Sequence, residues 1–347
     1  MRICSGDRSE TILEGNHVFK KLTSKKKSIA ALLSLTLLAT GLAACGSGSS
    51  NTDAGGSGNT SVQPGATTAE RKMTDGLGHV VTVPAKPQKI IASYLEDYLV
   101  ALGVKPAAQW SVANGIQVYL QQTLEGVPTI PYDLPFEAVL SFQPDLLLIG
   151  SNGTVEGDKY ERYAKIAPTF VLGDDILKDW RKTLLKIGDV LNKSDEAKKA
   201  LDQYERKAAE AKAQIQSKLP DKSVAAIWLV KNSFFVVSDK LSSGAVLYND
   251  LGFKVPSVVK EASASGTANW NPISLEKLAG LDADHLILIN SDKDTGSAAL
   301  NDPIWKTIKA VKTGNVYEYP RTASWLYYGP IASSQMIDHV LKDIVNK

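Results

Sequence analysis

Two short stretches of the 347-residue chain share one pattern: EAVLSFQPD at residues 137–145 and EKLAGLDAD at residues 276–284. Each opens with a glutamate, carries two apolar residues and closes with an aspartate at the same offsets, and LLLI or HLILI follows directly. This spacing is typical of a short amphipathic helix, a turn and a buried strand. Chance similarity is the alternative, but a true repeat predicts two lobes of similar construction.

The middle of the chain lacks any strand pattern and separates the two copies. Residues 174–192 form one helical pattern, with an apolar stripe at Ile176, Trp180, Leu184, Ile187 and Leu191. A helix of this length is about 28 Å long, enough to bridge two lobes. A second helix, rich in Lys, Ala and Glu, follows from Ser194 to about residue 219. We therefore predict an N-terminal lobe at 71–173, a bridging helix at 174–193 and a C-terminal lobe at 194–347.

On both sides of the bridge, short apolar runs alternate with helical patterns, which predicts two Rossmann-like α/β lobes. Strands are expected at 79–83, 89–93, 146–149, 169–172, 224–229, 234–237, 285–289 and 316–319. Helices are expected at 96–102, 135–142, 156–167, 244–251, 274–281 and 330–345.

The first seventy residues have the pattern of an export signal. A lysine cluster at 20–27 precedes an apolar run at 28–42, and Leu-Ala-Ala leads into Cys45. The run is shorter than the roughly 20 residues of a membrane span, so residues 1–44 are interpreted as a signal peptide. Cys45 resembles the lipidated cysteine of a bacterial lipobox, and the Gly/Ser/Thr-rich segment 45–70 is predicted to be a flexible tether. Acidic residues ahead of the lysines indicate a translation start at Val18 rather than Met1.

Charge and composition exclude several classes of function. Loss of residues 1–44 changes the formal net charge from +2 to −2, which removes the support for a nucleic-acid partner. The mature chain has no hydrolase nucleophile motif and no phosphate loop, so we expect no enzymatic activity. Its histidines, His79, His285 and His339, are scattered, so neither a protein-held metal nor a resident cofactor is expected.

Further motifs carry a family resemblance over residues 74–345. They are TDGLG at 74–78, YERYAKIAP at 160–168, the segment 180–188, LYNDLG at 247–252, SLE at 274–276 and AVKTGNV at 310–316, together with the repeat. In this number and order they resemble the substrate-binding lipoproteins of bacterial iron–siderophore ABC importers. That class, class III of the periplasmic binding proteins, has a helical backbone between its lobes.

The resemblance implies a function and a set of partners. The protein would be a monomer, lipid-anchored on the outer face of a Gram-positive cell membrane, and would deliver a ferric siderophore to a dimeric ABC permease with its ATPase. Glu137 and Glu276 match the two glutamates that engage permease arginines in this family. The alternatives are a cobalamin- or haem-binding importer subunit, and a ligand-sensing lipoprotein that is not coupled to transport.

A siderophore fills the coordination sphere of its iron, so the protein must recognise a bulky outer shell through aromatic faces and a few cations. Aromatic residues on polar loops or at strand ends are the best candidates, with nearby cations. The predicted ligand residues are Tyr94, Trp110, Trp228, Lys240, Trp270, Arg321, Trp325 and Tyr327. Because the mature chain has few arginines, a near-neutral hydroxamate complex is favoured over a polycarboxylate.

Overall fold

The computed structural model describes residues 69–113, 115–266 and 268–347. The predicted signal peptide, the lipidation site Cys45 and nearly all of the tether lie outside these residues. The described chain is mixed α/β, with two lobes and a long helix between them. The expected fold class is therefore confirmed, whereas the exact lobe boundaries stay predictions.

The N-terminal lobe is built on parallel strands. Its strands are β1 (Arg71–Thr74), β2 (Val80–Val83), β3 (Ile90–Ala92), β4 (Gln109–Ser111), β5 (Thr129–Pro131), β6 (Leu146–Ile149) and β7 (Thr169–Val171). β6 pairs in parallel with β3 and β7, β4 pairs in parallel with β5, and β1 and β2 form a hairpin. A parallel bridge between Ile91 and Ala108 links β3 to the segment before β4.

Helices cover both faces of this sheet, as parallel strands require. They are α1 (Glu96–Ala101), α2 (Gln121–Leu124), α3 (Phe136–Ser141) and α4 (Lys159–Ala164). Successive residues of β6 show the arrangement, since Leu146 and Leu148 belong to one core cluster whereas Leu147 and Ile149 belong to the other. The first cluster continues without a break into the middle helices and the C-terminal lobe.

The middle of the chain corrects the predicted 174–192 helix. Helix α5 is shorter, Trp180–Val190, because Asp179 adopts an extended conformation and its side chain accepts hydrogen bonds from the amides of Arg181 and Lys182. The long helix is α6, Ser194–Lys218, which at 25 residues is about 37 Å long. The two helices pack closely, since a Cβ on Gly188 would lie 2.5 Å from the Cβ of Ala197.

The C-terminal lobe has one mixed sheet. Its strands are β8 (Val224–Val230), β9 (Ser233–Val237), β10 (Trp270–Ile273), β11 (His285–Asn290) and β12 (Val316–Pro320), in the order β10-β9-β8-β11-β12. β8, β11 and β12 are parallel, and β9 is antiparallel to both of its neighbours. The helices are α7 (Ser242–Gly244, continued by a π-helical segment Ala245–Asp250), α8 (Ser257–Ser265), α9 (Leu275–Ala279), α10 (Lys309–Lys312) and α11 (Pro330–Val340, continued as Leu341–Val345).

The sequence repeat has one structural role in both lobes. The Asp145 carboxylate accepts hydrogen bonds from the amides of Gln88 and Lys89, just before β3. Asp284 accepts a hydrogen bond from the amide of Ser223, just before β8. In each lobe the final aspartate of the repeat therefore fixes the start of the neighbouring parallel strand. Among the described residues, no helix is long and apolar enough to cross a membrane.

Candidate functional site

The turn between β3 and α1 places an aromatic side chain at the edge of the sheet. Tyr94 has a φ of 60°, in the left-handed region that residues other than glycine seldom adopt, and its side chain remains 46% exposed. Just before it, the Ser93 hydroxyl accepts a hydrogen bond from the amide of Gly150, which ties the turn to the loop after β6. Ligands of open α/β sheets bind at this carboxyl end of the strands.

Five rings form a continuous surface that we call the aromatic row: Tyr132, Trp110, Tyr94, Tyr327 and Tyr119. Ring centroids are 6.2 Å apart for Tyr132 and Trp110, and 4.8 Å apart for Trp110 and Tyr94. They are 6.2 Å apart for Tyr94 and Tyr327, and 4.7 Å apart for Tyr327 and Tyr119. The row joins residues of the N-terminal lobe to the loop between β12 and α11.

Local structure orients these rings. Trp110 lies in β4 and donates its indole N–H to the carbonyl oxygen of Tyr132, just after β5, at 2.9 Å. Tyr119 lies in the 3-10 turn Val118–Leu120, and Tyr327 follows the turn Ser324–Leu326. Tyr94 and Tyr132 are exposed, whereas the other three rings are half-buried, so the row presents aromatic surface to solvent.

Two adjacent carboxylates lie beneath the row. Glu96 is 1% exposed and accepts a hydrogen bond from the amide of Trp110 at 2.7 Å, and Gln117 Nε2 lies 3.3 Å from its other oxygen. Asp97 is 2% exposed and accepts the hydroxyl of Tyr119 at 2.8 Å. Burial raises the pKa of Glu96 to about 8 and the pKa of Asp97 to about 6. Within the described residues, neither carboxylate forms an ion pair with Lys or Arg.

Three of the predicted ligand residues therefore lie together: Tyr94, Trp110 and Tyr327. Burial raises the pKa of the Tyr327 hydroxyl, and the exposed Arg321, which follows β12, opposes this rise. Lys240 is also exposed, in the segment between β9 and α7. Both cations are therefore accessible to solvent.

Trp228 and Trp270 contact each other in the C-terminal lobe and are not part of the aromatic row. Their ring centroids are 6.1 Å apart, and the half-buried indole of Trp228 donates to the hydroxyl of Ser291 at 2.8 Å. Trp270 was predicted as a ligand residue, but it begins β10 and pairs with Val237. This strand position leaves Trp270 only 6% exposed.

Trp325 is a clearer correction. Trp325 was predicted as a ligand residue, but it is 0% exposed and belongs to the core. Its ring packs against Tyr319 and His339, with centroid distances of 5.5 and 6.0 Å. Trp325 therefore stabilises the fold and offers no surface to a ligand.

Comparison with known proteins decides the family. A model of the periplasmic binding protein family matches residues 93–323. The chain belongs to the periplasmic binding protein family. The resemblance drawn from the sequence motifs is thus confirmed.

Relatives of this periplasmic binding protein span its length. It is 30% identical over 303 residues to the iron-uptake system-binding protein of Bacillus subtilis (84% of this chain, 90% of the relative). It is 29% identical over 307 residues to the iron(3+)-hydroxamate-binding protein FhuD of the same organism (87% and 91%). It superposes with a TM-score of 0.68 on the FhuD fold-family component of a ferrichrome ABC transporter from B. subtilis, at 23% identity, covering 79% of this chain and 100% of that one.

The sequence missed two members of the aromatic row in this periplasmic binding protein. Tyr132 directly follows β5, a strand too short to give a clear pattern, and Tyr119 lies in a brief 3-10 turn. A usable signal existed for Tyr132, because Pro131 and Asp133 flank an aromatic residue with typical loop residues. No comparable signal marked Glu96 and Asp97, which have the sequence of an ordinary acidic helix start.

A large surface groove lies elsewhere in the C-terminal lobe. It has a volume of about 720 Å³, and Asn232, Phe234, Ile273, Ala299 and Asp302 are among its lining residues. Among the described residues that line it, the aromatic one is Phe234, and that ring is stacked on Trp305 with centroids 5.4 Å apart. The aromatic row, unlike this groove, brings five rings together, so we treat the row as the candidate ligand site.

Glu137 and Glu276 occupy matching positions in the two lobes. Glu137 lies in the first turn of α3 and Glu276 in the first turn of α9, and both side chains are exposed. The first-turn positions agree with the short helix that the repeat predicts in each lobe. Within the described residues, no group of three or more His, Cys, Asp or Glu side chains could hold a metal ion.

Proposed function

We propose that this periplasmic binding protein captures a ferric siderophore outside the cytoplasmic membrane and delivers it to an ABC permease. The aromatic row is the observation that carries this proposal. A ferric siderophore presents a bulky, partly apolar shell, and stacked or edge-on rings recognise such a shell without displacing its metal ligands. The names of the relatives, an iron-uptake binding protein and an iron-hydroxamate-binding protein, support the same ligand class.

Hydroxamate complexes are our preferred ligands. The row itself contains tyrosine and tryptophan only, and the nearby cation, Arg321, is a single exposed side chain. A polycarboxylate complex would require several cations to offset its charge, whereas a near-neutral trihydroxamate requires few. Lys240 and Trp228 are proposed as secondary contacts from the C-terminal lobe, whereas the buried Trp270 would act only by supporting the ring of Trp228.

The route to the membrane is also a proposal. Lipidation at Cys45 would anchor the protein through two acyl chains, which is sufficient for stable attachment. Glu137 and Glu276 would dock on the two halves of a permease dimer. Exposed ion pairs contribute only about 0.2–1 kcal/mol each, so they would set orientation rather than supply most of the affinity.

A fluorescence titration tests the ligand assignment. Purified protein is titrated with a ferric trihydroxamate, a ferric catecholate, ferric citrate, cobalamin and haem, and the quenching of the intrinsic tryptophan fluorescence is followed. We expect the trihydroxamate to bind at least about tenfold more tightly than the others. Preferential binding of cobalamin or haem would refute the ferric siderophore proposal, and preferential binding of citrate would refute the hydroxamate assignment.

A further inference from the structure

The N-terminus of α11 is capped by a residue that lies 234 positions earlier in the chain. Its own N-cap position is Gly329, which has no side chain. Asp97, in the first turn of α1, accepts the amide of Ile331 at 2.8 Å and the amide of Ala332 at 2.9 Å. A carboxylate at this position satisfies two helix amides that otherwise have no partner.

The same carboxylate is part of the floor of the aromatic row. Asp97 Oδ2 also accepts the Tyr119 hydroxyl, which lies 3.0 Å from Gln117 Oε1, and Gln117 in turn lies beside Glu96. Tyr94 precedes Asp97 by three residues, and Tyr327 precedes the first residue of α11 by three. One side chain therefore fixes both segments that bring Tyr94 and Tyr327 together.

Other contacts also restrict the junction between α1 and α11, by which we mean Asp97, Tyr119 and the first turn of α11. Gln335 of α11 donates to the carbonyl oxygen of Tyr119 at 3.4 Å. A Cβ on Gly329 would lie 2.6 Å from the Asp97 carboxyl carbon, so only glycine permits this approach. The φ of Gly329 is 167°, an extended conformation that any residue can adopt, so the requirement for glycine is steric.

We propose that Asp97 is a positioning residue for the ligand: by holding α11 and Tyr119 in place, it sets the spacing of the aromatic row and thereby the affinity for the ferric complex. This inference rests on the proposed function. Asp97 does not itself touch the ligand, because it is buried beneath the rings. Its effect is transmitted through Tyr119 and Tyr327.

The pH dependence of binding distinguishes positioning from general stability. The groups that face Asp97 are Glu96 and Tyr98 on α1, Tyr94 before it, Tyr119, and the two amides of α11. Protonation of Asp97, whose pKa burial raises to about 6, removes one strong acceptor from α11. The ligand affinity of the wild type should therefore fall as the pH falls through about 6. The affinity of Asp97→Asn should be low and nearly independent of pH over this range.

The experiment uses Asp97→Asn, Gly329→Ala and a matched control, Asp145→Asn. Asp145 also accepts two consecutive backbone amides, but at the start of β3, the end of that strand opposite Tyr94. Dissociation constants for a ferric trihydroxamate are measured between about pH 5 and 7.5, with the free energy of unfolding measured beside them. We expect Asp97→Asn and Gly329→Ala to weaken binding at least about tenfold at pH 7.5, and the control to stay within about twofold at every pH.

Wild-type affinity in folded Asp97→Asn would overturn the inference. If Asp97→Asn does not fold, the inference is tested by Gly329→Ala and by the pH dependence of wild-type affinity. Normal affinity of Gly329→Ala, or a wild-type affinity that does not change with pH, overturns the inference. Hydrogen exchange at Ile331 and Ala332 without ligand tests the contact separately, with faster exchange expected in both variants. If the wild type binds no ferric complex although these amides are protected, the proposed function fails and the junction stands.

Discussion

Replacing Glu96 with glutamine should make the stability of the protein less sensitive to pH. The pKa of the Glu96 carboxyl is 4.5 in a model peptide and is raised by burial to about 8 in the folded protein. The folded state therefore retains a proton that the unfolded chain loses above about pH 4.5. Stability from this group is fully present below that pH and is lost progressively as the pH rises to about 8.

The structure sets the size of this effect. Each unit of pKa difference corresponds to about 1.4 kcal/mol, so ionising the buried Glu96 costs on the order of 4 kcal/mol by pH 8. Glutamine cannot ionise and avoids this cost. Other groups, including Asp97, titrate in both proteins and largely cancel in the difference. The stability difference, Glu96→Gln minus wild type, should therefore rise by on the order of 3 kcal/mol between about pH 5 and pH 8.

Urea denaturation of both proteins at several values in this range measures the difference. Glu276→Gln is the control, because its own backbone amide and then Ser274 lower the pKa of Glu276, which therefore stays ionised over the whole range. Its difference from wild type should not change with pH. If the Glu96→Gln difference is equally flat, the buried carboxyl does not hold a proton near neutral pH, and the reasoning is refuted.

Three further predictions concern the ligand, the permease and the anchor. Trp325→Ala should cost about 3–5 kcal/mol of stability because it empties a core position. Tyr94→Ala should weaken ligand binding about tenfold and change stability by less than about 1 kcal/mol. Denaturation measures the stability and titration the affinity, and the reverse pattern would contradict the assignment of the two residues. Changing both Glu137 and Glu276 to Ala should abolish uptake of the labelled ferric complex, with single variants less impaired and soluble affinity within about twofold; normal uptake by the double variant would exclude docking. Cys45→Ser should release the protein from membranes in a fractionation assay without loss of affinity, and weaker binding would show that the anchor segment contributes to the site.

The strands and most helices were predictable because their signals are local. The apolar run at Leu146–Ile149 is long enough to mark a buried strand, and the strands expected from the alternation are confirmed. The start of α5 was not predicted, because an apolar stripe cannot show that Asp179 prefers to cap the helix. Strands of three residues such as β4 and β5 give almost no periodic signal.

The site was predictable only in part, because its members depend on tertiary contacts. Tyr94 and Trp110 could be proposed from the sequence because they follow or occupy strands at the carboxyl edge of a sheet. Trp325 was misassigned because polar neighbours suggest a surface loop, although a turn directs its ring into the core. The link between Asp97 and Ile331 spans 234 residues, and no pattern in the sequence reports which side chain will cap a helix that begins so far away.

The aromatic row also depends on the order of synthesis. Chains grow from the N-terminus, so Tyr94 and Trp110 leave the ribosome more than 200 residues before Tyr327. A nascent chain therefore carries an incomplete ligand surface, and the carboxylate of Asp97 has no helix to hold. The ligand capture that we propose is accordingly expected of the finished chain alone. A protease that removed the last twenty or so residues would take away both Tyr327 and the helix that Asp97 caps, and we expect it to abolish capture.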